Sequence, residues 1–183
     1  MSLLIPVVAA AMAIVSPTGG TAAQALVVDG QFRAADGGTY RAVTFDGTAI
    51  PAGSRVTVTE RTSPDGTRVE LRVGGVQANR TFGAHVHTQA CGSTPAASGP
   101  HYQNVKDPKQ PSTDPQYANA QNEVWLDFTT DGNGDGGAAS TVQWRFRAGE
   151  ARSVVVHDHG TATASGQAGT AGARLACVNV PFE

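Results

Sequence analysis

Charge is scarce in this sequence, and lysine is scarcer. Of 183 residues only 15% are charged, the formal net charge is −2, and the only lysines are Lys106 and Lys109. A nucleic-acid binder would carry a basic stripe, so no nucleic-acid partner is expected. Cysteine is limited to Cys91 and Cys177. Two cysteines in an exported chain admit a disulfide, and two unrelated buried thiols are the other reading. Histidine occurs five times. No stretch carries convincing amphipathic-helix spacing, which argues against a helical domain. The length suits one domain with a sizeable core.

The first 25 residues contain no Asp, Glu, Lys or Arg. Within them "LLIPVVAAAMAIV" is a 13-residue apolar run, too short for a comfortable membrane span and right for the apolar region of a signal peptide. Ala23-Gln24-Ala25 supplies a small-x-small cleavage pattern, although the basic start of a typical signal peptide is missing. The expectation is a signal peptide over 1–25, a loosely ordered lead over 26–38 and one domain over 39–183. The chain would then be secreted, to the cell exterior, the periplasm or the cell envelope, with no membrane span.

Alternation of apolar and polar residues dominates the rest. "TYRAVTFD" (39–46), "SRVTVTE" (54–60), "TRVELRVG" (67–74), "FGAHVHT" (82–88), "EVWLDFT" (123–129), "STVQWRFR" (140–147), "RSVVVH" (152–157) and "RLACVNV" (174–180) read as strands. "SPDG" (63–66) reads as a hairpin turn. The eight candidates predict an all-β, antiparallel sandwich or flattened barrel. Two connections, 89–122 and 158–173, are too long for hairpins, and each begins right after a histidine-bearing strand. Long loops in a compact domain are usually functional or disordered, and that placement favours function. "DGNGDG" (131–136) opens like a calcium loop, but its twelfth position is Val142 rather than Glu, so a hairpin turn is expected. Trp125 and Trp144 fall on strand candidates and read as packing residues; Tyr102 reads as packing or as a wall of the site.

His85 and His87 stand two apart on a strand, so their side chains share a face and can grip one ion. His101 lies in "SGPHYQ", His157 ends "SVVVH", and His159 follows at the same offset. A single histidine is usually a satisfied core or surface residue, but here all five fall in motifs that bracket the two long loops. Imidazoles without a ligating cysteine pattern suit copper, zinc, iron or nickel.

"FGAHVH", "SGPHYQ", "SVVVHDHG" and "GTAGARLACVNV", in that order, resemble the signature segments of the copper-zinc superoxide dismutases, over roughly residues 40–183. The resemblance implies an eight-stranded Greek-key β-barrel and a copper held by His85, His87, His101 and His157. In the family His101 would be the histidine bridging copper to zinc and relaying a proton. Arg174 would guide superoxide to the copper, and Cys91 and Cys177 would form the intrachain disulfide.

The pattern breaks at zinc. Between His101 and the strand at 123–129 there is no histidine, only Asp107, Asp114, Glu123 and Asp127 as candidate ligands. The usual histidine-rich tetrahedral zinc site cannot be built from these. The loop from His157 to Arg174 also looks shorter than the family's. Both departures resemble the copper-only branch, so copper is expected and zinc is not. Without zinc another group must orient the far ring nitrogen of His101, and carboxylates do this in many metal sites. Glu123 is the first candidate and Asp127 the second. The rival to a dismutase is a secreted, non-enzymatic copper-binding barrel, since fold alone does not imply turnover. Arg174 argues against it, because copper storage has no use for an anion guide.

Overall fold

The computed structural model describes residues 24–183. Ten strands form two sheets. The four-stranded sheet runs β1 (Gln24–Gln31), β4 (Arg55–Ser63), β5 (Gly66–Gly74) and β8 (Gly136–Val142). The six-stranded sheet runs β2 (Arg33–Ala34), β3 (Ala42–Thr44), β10 (Arg174–Asn179), β9 (Ser153–His157), β6 (Thr81–His87) and β7 (Phe128–Thr129). A single 3-10 turn, Pro95–Ser98, is the only helical element among the described residues.

β4 and β5 form where the alternation is cleanest. Val56, Val58, Val69, Leu71 and Val73 point into the core, while Arg55, Arg61, Arg68 and Arg72 face water. The hairpin between them closes at Ser63 opposite Gly66, as the turn residues predict. Gly66 has φ +139, and a Cβ there would lie 2.0 Å from the Val142 carbonyl, so only glycine fits this close approach.

β6 and β9 are buried along both faces. Phe82, Ala84, Val86, Val154 and Val156 join the core between the sheets. His85 and His87 alternate with them and therefore occupy the outer face of the six-stranded sheet, which the long loops roof over. A polar face in mid-sheet is thus kept dry by loop rather than by a second sheet.

Several expectations need correction. The strands number ten rather than eight, and they form two open-edged sheets, not a closed barrel. The sheets are not wholly antiparallel, since β2 pairs with β3 in parallel. Residues 26–38 are no loose lead: β1 aligns with β4 from Gln24 to Gln31 and β2 follows. Residues 1–23, most of the expected signal peptide, lie outside the described residues, and its last two positions stand in β1. The candidate at 39–46 shrinks to Ala42–Thr44. That at 123–129 shrinks to Phe128–Thr129, with an isolated bridge from Trp125 to His85. That at 140–147 moves forward to Gly136–Val142. The turn at 131–136 is tight, with Asp131 Oδ1 accepting from the Asn133 and Asp135 amides, but it leads from one sheet to the other and closes no hairpin.

Candidate metal centre

His85, His87, His101 and His157 converge. One ring nitrogen from each lies within 4.8 Å of the others, and this is the only group of potential ligands so gathered among the described residues. Strand pairing brings them together. His157 stands opposite Gly83 in the β6/β9 register and opposite Arg174 in the β9/β10 register, and His101 forms an isolated bridge with His87.

Each ring commits its other nitrogen to a partner outside the cluster. His87 Nδ1 lies 2.9 Å from the Gly99 carbonyl and His157 Nδ1 3.4 Å from that of Gly172. His101 Nδ1 meets Glu123 Oε2 at 2.9 Å, and His85 Nε2 meets the Thr161 hydroxyl at 2.7 Å. The nitrogens left over face one another, with His87 Nε2 and His157 Nε2 3.3 Å apart. His85 Nδ1 is buried and has no partner at all. A buried polar atom without a partner is costly, and a metal ion at the centre would satisfy it, so the residues present fit one.

Burial keeps His85, His87 and His157 neutral. His85 and His87 lie well below the usual histidine range, first because of desolvation and then because of the neighbouring imidazoles, His101 foremost. His157 is pushed down to about 3 by the same burial and by His101. A ring that resists protonation keeps its lone pair available to a metal.

Glu123 is almost fully buried, and both its oxygens are used. Oε2 also accepts the Trp125 indole N–H at 2.7 Å, and Oε1 accepts the Gln103 amide at 2.8 Å. Trp125 thus holds a site carboxylate, where a packing role was expected; Gln103 had no signal in the sequence. Asp127 does not reach His101. Its Oδ1 lies 3.9 Å from His85 Nε2, with the Thr161 hydroxyl bonded to both. Asp107 and Asp114 accept hydrogen bonds within their own loop and stay out of the cluster. His159 is exposed and lies outside it as well. Tyr102 is core, stacked on Trp144, with its hydroxyl accepting from the Arg147 amide.

Arg174 opens β10, and its Nη1 donates to the Pro95 carbonyl at 3.1 Å and to Ser98 Oγ at 2.9 Å. The Cys91–Cys177 disulfide ties the loop carrying those partners to the strand carrying the arginine. A cleft of about 410 Å³ opens beside His101, whose side chain is 18% exposed. Its cations are already engaged, since Lys106 and Arg147 both pair with Glu150, at 2.9 and 2.8 Å.

Four imidazoles on the outer face of a two-sheet sandwich, roofed by loops of which one is tied down by a disulfide, form a group that could hold a metal ion. The sequence model described as copper/zinc superoxide dismutase matches residues 52–180. The chain belongs to the copper/zinc superoxide dismutase family. No curated protein sequence matches it. Among solved structures it is similar to a Cu/Zn superoxide dismutase from Brucella abortus, at 19% identity and TM-score 0.55, covering 86% of this chain and 99% of that one. It is also similar to a SOD-like protein from Bacillus subtilis, at 11% identity and TM-score 0.51 over 76% and 97%. A double mutant of a SOD-like protein from the same organism matches at 13% identity and TM-score 0.54 over 72% and 92%. At such identities the likeness speaks for the fold. An enzyme and a SOD-like protein share it, so activity must be argued from the site.

Proposed function

We propose that this protein is an exported, copper-dependent superoxide dismutase that works without zinc, on a Greek-key arrangement of its strands. The observation that carries the reading is the set of four inward-facing imidazole nitrogens, each ring braced from behind. Copper bound there would supply a one-electron change of valence, which zinc lacks. The overall reaction converts two superoxide anions and two protons into oxygen and hydrogen peroxide. Arg174 attracts and orients the anion with a fixed positive charge. His101, the most exposed of the four rings, offers a nitrogen that can hold and deliver a proton. Glu123 keeps that ring from turning by accepting at Nδ1, the task a second metal would otherwise perform. The loop aspartates and His159, which do not join the imidazole cluster, support the zinc-free reading. A disulfide suits an oxidising compartment and supports export, with residues 1–25 as the signal peptide.

The test is reconstitution with copper and zinc together, followed by elemental analysis and a superoxide-consumption assay on the same sample. One copper, no zinc and rapid turnover are expected. Stoichiometric zinc would overturn the zinc-free reading. Copper without turnover would leave a copper-binding barrel.

A further inference from the structure

Thr161 lies in the loop that follows β9, a Gly/Ala/Thr-rich stretch in which nothing sets this threonine apart. That loop folds back over the outer face of β6. The close approach depends on Gly83, where a Cβ would stand 2.6 Å from the His159 carbonyl and 3.3 Å from Thr161 Oγ1.

Directionality assigns every proton around this threonine. A carboxylate can only accept. Asp127 Oδ2 takes the Thr161 amide N–H at 2.6 Å, and Oδ1 takes the Thr161 hydroxyl proton at 2.7 Å. The hydroxyl has one proton, so toward His85 Nε2, 2.7 Å away, it must accept. Nε2 then carries hydrogen and Nδ1 is bare. Nδ1 is the atom that is buried without a partner beside the other three imidazoles. Asp127 cannot do this directly, because its nearer oxygen is 3.9 Å from Nε2.

We infer that Thr161 is a positioning residue: its hydroxyl, anchored by Asp127, fixes the Nε2–H tautomer of His85 so that the bare Nδ1 faces the metal. This rests on the copper-binding reading above, but the tautomer itself is a property of the metal-free protein. The relay also couples the loop to the centre, since the amide and the hydroxyl of one residue bind the same carboxylate.

The experiment compares the full protein with Thr161→Val and Thr161→Ser. Nitrogen-15 NMR of the metal-free proteins reads the His85 ring. Wild type and T161S are expected to show a protonated, slowly exchanging Nε2 and a bare Nδ1. In T161V the Nε2–H proton should lose its downfield position and its slow exchange. Copper(II) affinity, measured by competition with a chromophoric chelator, should fall about 10–100-fold in T161V and return in T161S. An Nδ1–H tautomer in the wild type would overturn the inference without any variant, even if the valine protein failed to fold. Unchanged copper affinity in T161V would also overturn it, as would a folded T161S as weak as T161V. A wild type that binds no copper would instead defeat the proposed function, and the NMR result would still decide the role of Thr161.

Discussion

On the outer face of the six-stranded sheet, His85 buries Nδ1 without a partner; on the inner face of the four-stranded sheet, Glu60 buries Oε1 in the same condition. Both side chains are at most 1% exposed. Around His85, three more imidazoles turn a nitrogen toward the same point. Around Glu60 no such convergence exists: its other oxygen accepts the Glu183 amide at 3.1 Å, and burial raises its pKa to about 7. Burial drives both groups toward the neutral form, downward for the imidazole and upward for the carboxyl. A buried orphan becomes a binding site only where other donors converge on it and each is held from behind.

The comparison breaks most sharply at Glu123. Replacing it with Gln keeps the shape but removes the charge that receives both His101 Nδ1 and the Trp125 indole. Copper affinity or turnover is expected to fall about 10–100-fold, read by chelator competition and by superoxide consumption. Equal values in Glu123→Gln and wild type would mean that His101 needs no carboxylate.

Next comes pH. The depressed histidines contribute stability that is present above about 6.5 and lost as pH falls toward about 3, because below 6.5 the unfolded chain takes protons the folded site refuses. Glu60 acts oppositely. Its stabilising protonation is complete below about 4.5 and lost as pH rises through about 7. In Glu60→Gln the alkaline loss should disappear, leaving the metal-free variant more stable than wild type at pH 8 by on the order of 2 kcal/mol. That corresponds to about 4–8 °C in the thermal midpoint. Parallel midpoints across pH 5–8 would show that Glu60 is not the group responsible.

The smallest effect is expected at Trp125. Trp125→Phe removes one of three donors to Glu123 and leaves His101 and Gln103 in place. The cost should be about 1 kcal/mol of stability by denaturant titration, with a smaller loss of turnover than in Glu123→Gln. A loss as large as that of Glu123→Gln would make the indole an equal partner in holding the carboxylate.

Much of the fold was legible because its signal is local. Val56, Val58, Val69 and Leu71 alternate with charged or hydroxylated neighbours, and "SPDG" closes them into a hairpin. The first four residues of β8 escaped because "GGAA" has no apolar alternation to read. Its glycines are there for proximity: a Cβ on Gly137 would stand 2.3 Å from the Leu71 carbonyl. Residues 123–127 read as strand, yet they are pinned mainly by side-chain bonds at Glu123 and Asp127, with one isolated bridge in place of a ladder.

The sequence by itself determined that His85 and His87 share a face, because its apolar alternation specifies a strand and residues two apart on a strand point the same way. It also supplied an acid, Glu123, for the far side of His101, and too few histidines for a second histidine-rich site. The tertiary structure decided which face the histidines occupy, since β6 and β9 are buried on both sides and alternation cannot tell core from roofed surface. It decided that Asp127 serves His85 rather than His101, and through Thr161, which stands 76 residues from that histidine. A hydrogen bond depends on angstroms and on direction, and over that chain separation only the folded path of the loop sets either one.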